Sequence, residues 1–542
     1  MRFFALFLAV AAGVSSQTAA AQPVVSSDGV VNAASYNIPE FPNYGIARGS
    51  LFVVFGTSLG PVALVQADHY PLPDSQGLAG TSVQIRLGDY SGYALMVYTS
   101  AEQVAAILPS AVPEGAAQLT VSYNGLTSGP VSVPVVRSTF GIFAVNESGW
   151  GQAVVQNFAS PTEMPANTVL SSAIPGRTLI LWGTGLGPVT GDEAQGPLAG
   201  ALPYLDAVYI GGKPAAVRYA GRSGCCAGVD QIVLDVPAGV SGCYVPLVAV
   251  TNGIPSNFTT ISVANSGGPC DDPLNFRASD FAALERNGRL QIGAVELIYW
   301  KPQNNAELFG NFGWYGPDTI TTAPPGNPSP GSCYQSQFFT VSFGSPGQGN
   351  ALFAGGRFTL AGPGISITAE LLAGQFYGSV QTPYLPAGTY NISGPGGGSV
   401  GPLSGNFPVT APVQWTNSPD YLGHAQFLGQ PMTFKWTGGS NSTFTSISVG
   451  SGQSGLGTSV QCVVPASSGV FTVPDYVTRA LLPGPANIEV GSFDLPSPFQ
   501  ASGLDLATVT VVQYTTVDGS LQRAPASSQV IMNAIGPEGK DR

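Results

Sequence analysis

The stretch GRTLILWGTGLGPV, Gly176 to Val189, decides how this chain folds, because it occurs twice. Its first copy is GSLFVVFGTSLGPV, Gly49 to Val62, so the offset from position 49 to position 176 is 127. Gly49, Gly56, Thr57, Leu59, Gly60, Pro61 and Val62 recur as Gly176, Gly183, Thr184, Leu186, Gly187, Pro188 and Val189, and Phe55 is replaced by another aromatic, Trp182. Each copy is a short apolar run ending in a glycine-rich corner, the pattern of a strand that runs into a tight turn. A repeat of this length with its corner retained predicts two copies of one folding unit.

Reading outward, the match continues. Gln103 to Pro109 answers to Gln231 to Pro237, and Asn124-Gly125 to Asn252-Gly253. Asn-Gly between apolar runs is a hairpin signal. In the first unit Val30 to Ala34, Leu51 to Phe55, Tyr93 to Tyr98, Val104 to Leu108, Leu119 to Tyr123 and Val131 to Val136 read as short strands. Strands this short and regularly spaced predict an all-β fold of tandem immunoglobulin-like β-sandwich modules. Glycines at the corners allow the chain to cross between sheets at positive φ.

The 542 residues exceed one domain. Hydrophobic residues make up 44%, enough for packed cores, while charged residues make up only 9%, against roughly 25% in ordinary soluble proteins. The 71 Gly and 46 Pro leave little room for long helices. A net charge of −12 argues against nucleic acid or an anionic membrane surface as partner, since both need clustered Lys and Arg.

The first 21 residues have the pattern of a signal peptide: Arg2, an apolar core from Phe3 to Val14, and Ala19-Ala20-Ala21 before Gln22. No later stretch reads as a membrane span. The expected location is therefore secreted, extracellular or cell-surface, with the periplasm as an alternative. The modules are expected at residues 22–138 and 139–270, followed by β-rich regions at 271–411 and 412–515 and a polar tail at 516–542.

Six stretches, VVNAASY, GTSLGP, YTSAEQVAAILP, GTGLGPVTGDEA, GRSGCCAGVDQIVLDVPAGVSGCYVPL and SNFTTISVA, carry a family resemblance. They are similar to the Solibacter-type repeat domain of secreted acidobacterial proteins, itself akin to the immunoglobulin-like IPT/TIG modules. The resemblance covers roughly residues 24–272. It implies an immunoglobulin-like fold and export, and it supplies no catalytic residue.

Past the repeats, Ser279 to Arg286 reads as a helical turn or two capped by Ser279, and Leu290 to Trp300 as a strand pair. Ile365 to Leu372 alternates as a strand. Gln414-Trp415-Thr416 and Lys435-Trp436-Thr437 place aromatic anchors in two strands of the fourth region.

Several constellations bear on chemistry. Export favours disulfides over zinc for Cys225, Cys226, Cys243 and Cys270, with Cys333 and Cys462 as further candidates; a ring between adjacent Cys225 and Cys226 would be strained. Gly397 to Gly401 fits G-x-S-x-G, yet lacks the flanking strand and helix of a nucleophile elbow, and the chain has only His69 and His424 to serve as base. Gly183 to Gly187 resembles a dinucleotide loop, but its copy in the first unit marks it as a structural corner. Asp192-Glu193 and Asp271-Asp272 pair carboxylates, with Ca²⁺ the better functional reading of the second pair. No other cofactor is expected.

The densest aromatic stretch spans Tyr299 to Tyr315, with Tyr299, Trp300, Trp314 and Tyr315 among Asn304, Asn305 and Asn311. Exposed rings beside amides stack on and hydrogen-bond to sugars, so this stretch is the candidate ligand site; core packing is its rival. The chain thus reads as a non-catalytic structural or adhesive protein. A carbohydrate-binding protein, with extracellular polysaccharide or cell-surface components as partners, is the alternative, and a polysaccharide-active enzyme the third reading.

Overall fold

The structure, a computed structural model, describes residues 21–322, 326–339, 350–453 and 455–524. The expected signal peptide, apart from Ala21, and the last part of the expected tail lie outside them. The fold is all-β, a series of immunoglobulin-like sandwiches.

In the first module the repeated stretch forms the strand Leu51–Thr57, flanked by Val24–Asn32 and Gln103–Ile107. Its central position buries both faces: Phe52 and Val54 enter the sandwich core, while Val53 packs with Val31 and Ala105 on the other side. That is why the run is continuously apolar rather than alternating. The facing sheet alternates, as half-solvated strands do: Val83 and Ile85 point inward while Arg86 is exposed. The second module repeats the plan, with Thr178–Thr184 between Gly141–Ile142 and Asp230–Asp235, and Leu179, Leu181, Ile232 and Leu247 in the core. Gly56 and Gly183 are required by close approach, since a Cβ there would lie 2.1 Å from Val24 O and 2.3 Å from Gly141 O. Both Asn-Gly pairs turn with positive φ, as the hairpin signal predicts.

One sheet runs through the second half on both sides of residue 411. Leu290–Lys301 is one strand, not the expected pair, and it forms a hairpin with Asn305–Tyr315. It also runs parallel to Leu506–Gln522, and Ser332–Phe339 pairs with Leu456–Pro465, so one 15-stranded sheet crosses the expected boundary. Alternation identifies strands but not their partners, and these partners lie far apart in the chain. The last strand also absorbs residues 516–522, which had read as polar tail. Two cores lie along this sheet. One gathers Leu297, Leu308, Phe358 and Phe376; the other holds the anchors Trp415 and Trp436 with Val248 and Phe258 of the second module. The helix forms at Phe281–Asn287, capped by Asp280 rather than Ser279, and the Asp280 carboxylate accepts from Arg277 N instead of closing the helix end.

Candidate functional site

The second copy of the repeat is where the first two modules meet. Thr184 Oγ1 accepts from Leu51 N at 2.9 Å and donates to Gly228 O at 2.6 Å. Val189 N donates to Ser110 Oγ at 2.9 Å, and Ser110 N donates to the Glu193 carboxylate at 2.7 Å. Beneath these contacts lies a fully buried ion pair, Arg222 Nη1 to Asp230 Oδ1 at 3.3 Å. Arg222 Nη2 also donates to Gly187 O, and Leu186 N donates to Asp230 Oδ2. Burial pushes the Asp230 carboxyl up to about 6, against the pull of Arg222 and two backbone N–H groups. Burial likewise raises Glu193, opposed by Ser110, Arg222 and Arg48. Two carboxylates thus share one buried guanidinium. The arrangement holds no nucleophile or acid aimed at a cavity; what it does is fix one module on the next. Sequence reading missed it: Arg222 and Asp230 both stand in the stretch GRSGCCAGVDQIVLDVPAGVSGCYVPL, but nothing in it shows that they pair, and Ser110 and Glu193 lie far from it in sequence.

The aromatic stretch divides. Trp300 pairs with Asn305 at one end of the hairpin, and Trp314 with Gln291 at the other. Nine residues of strand separate the two ends, about 30 Å. The four rings therefore do not form one site. Tyr299 is 5% exposed in the core, its hydroxyl donating to Pro383 O at 2.7 Å. Trp314 is half-buried under the Arg289 guanidinium, 5.6 Å from its ring centroid, and Tyr315 packs beside Leu290 and Phe281. Burial raises the hydroxyl pKa of both Tyr299 and Tyr315.

Trp300 stands at the end of the hairpin face that carries a row of polar groups. That face carries Asn305, Glu307 and Phe309 of one strand and Tyr377, Ser379 and Gln381 of Gln375–Gln381 beside it. Phe309 and Tyr377 lie 5.4 Å apart at 53°, with Tyr377 37% exposed. Gln381 Nε2 donates to Asn305 Oδ1 at 3.1 Å, and Asn305 Nδ2 donates to Glu307 Oε1 at 2.8 Å. The alternation of QFYGSVQ was the available signal for Tyr377 and Gln381.

The cysteines follow the expectation in part. Cys243 bonds Cys270 and Cys333 bonds Cys462, while Cys225 and Cys226 are exposed thiols. These two are adjacent in the loop between Arg222 and Asp230. Asp272 spends its carboxylate on Cys243 N, Leu274 N and Asn275, and Asp271 accepts from Ala278 N. Both acids therefore lock the loop after the second module. Asp192 caps a turn through Ala194 N. Gly397 to Gly401 is a tight turn with no helix after it. His69 lies beside Asp68 on an exposed loop. No group of three or more metal-ligating side chains occurs among the described residues, and no helix among them is long and apolar enough to cross a membrane.

No protein-family model matches the chain, and no curated protein matches it. Among solved structures it is similar to a tetra-tandem repeat from the extending region of a large adhesion protein, at 11% identity over 93% of this chain and 100% of that one, with a TM-score of 0.13. It is also similar to domains 5–6 of the S-layer protein SbsC, at 15% identity over 45% and 99% of the two chains, TM-score 0.16. A Bacteroides ovatus protein, SGBP-B of the mixed-linkage glucan utilization locus, in complex with a mixed-linkage heptasaccharide, matches at 11% identity over 85% and 93%, TM-score 0.15. At these scores the likenesses carry no argument, and the immunoglobulin-like fold is read from the sheets themselves.

Proposed function

We propose that this is a secreted or cell-surface protein with a structural and adhesive role, built as a rigid series of sandwiches. One observation carries this reading: the first two modules are joined by direct hydrogen bonds between Leu51 and Thr184, Ser110 and Glu193, and Val189 and Ser110, where a flexible linker would otherwise let them swing. The two cystines support an oxidising compartment, and the resemblance to the Solibacter-type, IPT/TIG-like repeat of exported proteins agrees with it. Small-angle scattering of the mature chain tests the rigidity. One conformer should fit the whole curve, and a broad ensemble of module orientations would sink the reading.

The sheet face around Phe309 and Tyr377 supports a second reading, glycan binding. Flat rings beside a relay of amides and a carboxylate are what sugar recognition uses. A polysaccharide screen on the mature chain is the test. Tyr377→Ala should weaken binding by roughly 1–3 kcal/mol with the melting temperature unchanged. Trp314→Ala, half-buried beneath Arg289, should lower the melting temperature and leave binding alone.

A further inference from the structure

The joint between the first two modules has two halves: a corner and a turn. The corner, Thr184 to Val189, belongs to the second module and the turn, Gly49-Ser50 with Ser110, to the first. Because the modules are copies, each carries both halves. The turns superpose bond for bond. Gly49 N donates to Leu108 O, Leu108 N to Ser50 O and Ala33 N to Leu51 O; in the second module Gly176 N donates to Val236 O, Val236 N to Arg177 O and Phe158 N to Thr178 O.

Their surroundings differ. Gly49, Ser50 and Ser110 are buried beneath the second module, whereas their counterparts Gly176, Arg177 and Ala238 are exposed. Thr184 to Gly187 are buried in the joint, whereas Thr57 is exposed in the first module's corner and Val62 is 96% exposed. Beyond the corner, Leu64 is 59% exposed. One spare corner and one spare turn therefore remain on each chain.

We propose that a second copy of this chain fills them: the Thr57–Val62 corner of one copy seats on the Gly176–Arg177 turn of the next, head to tail. This deepens the structural reading above. Charge favours the match. In the internal joint Glu193 comes with the corner, and Arg48, which pulls on it, comes with the turn. The spare corner carries exposed Glu102 and Asp68, and the spare turn carries Arg177, with Lys213 bonded to Ala238 O beside it. The contact is heterologous, since the two surfaces differ, so it propagates as an open chain of copies rather than closing as a symmetric dimer. It lacks a counterpart of the Arg222–Asp230 pair. By strand register these positions are Ala101 and Glu102, so the contact is weaker than the internal one and reversible.

Sedimentation velocity on the mature chain over a concentration series, at low and high salt, tests this. The expected result is a weight-average mass that keeps rising with concentration past the dimer and falls as salt is added. Val62→Asn and Arg177→Glu should each abolish the growth without shifting the melting temperature, both side chains being exposed. Mixed together, these two variants should give a one-to-one dimer that grows no further, because each retains one intact half. A chain that stays monomeric throughout, a symmetric dimer, or growth unchanged by both variants overturns the proposal. Because scattering reads rigidity within one dilute copy, the rod reading survives or fails separately from this one.

Discussion

The two copies of one fourteen-residue stretch have gone different ways. At Gly49 to Val62 the corner faces outward, and Leu59 N bonds the backbone of Ala101. At Gly176 to Val189 the corner is buried against another module, and Leu186 N bonds the Asp230 carboxylate instead. The strands and turns are shared; the side chains that meet the neighbour are not. A repeat thus specifies a module, and a handful of non-repeated residues specify how modules join.

This difference can be broken at its most costly point. Arg222→Met leaves Asp230 buried without its guanidinium and should cost about 3–5 kcal/mol, read as an early thermal transition. Changing its register counterpart, Ala101, to Met should cost far less. A smaller effect comes from the corner backbone. Gly185 has φ +105°, and a Cβ there would lie 2.3 Å from Thr139 O, so Gly185→Ala should cost about 1–3 kcal/mol. Its counterpart is already a serine, so Ser58→Ala should fall within about 0.5 kcal/mol. Thr184→Val removes one acceptor and one donor from the joint and should cost about 1–2 kcal/mol; Thr57→Val, exposed, should cost nothing measurable.

The smallest effect is that of pH. Folding raises the Asp230 pKa to about 6, so the ionised form is penalised in the folded state. Stability is lost as pH rises through 6 and regained on acidification. The joint should gain roughly 1 kcal/mol between pH 7 and pH 5, by thermal melts at matched ionic strength. Asp230→Asn should flatten that dependence, and a joint that weakens on acidification would show the burial argument to be misapplied.

Much of the fold was legible because it is local. The corner glycines, the Asn-Gly turns and the alternation of short strands each act over a few residues. What was not legible is pairing at a distance. Leu290–Lys301 reads as apolar, yet nothing nearby shows that it lies beside Leu506–Gln522. Tyr299 and Trp300 are neighbours in sequence but point to opposite faces, one to the core and one outward, so a count of aromatics overstated the site. Cys225 and Cys226 lie near Cys243 in sequence, whereas Cys333 finds Cys462 across a sequence separation of 129.

The parallel strands Leu290–Lys301 and Leu506–Gln522 have a mechanical consequence. Tension applied between the second module and residue 522 would pull the start of one strand against the end of the other. Because the strands run in the same direction, that pull is along the ladder from Ile292–Leu506 to Lys301–Thr515. The hydrogen bonds then share the load in shear and must fail together, where a hairpin pulled open from one end would unzip bond by bond. The second half of the molecule is thereby built to resist stretching along the chain.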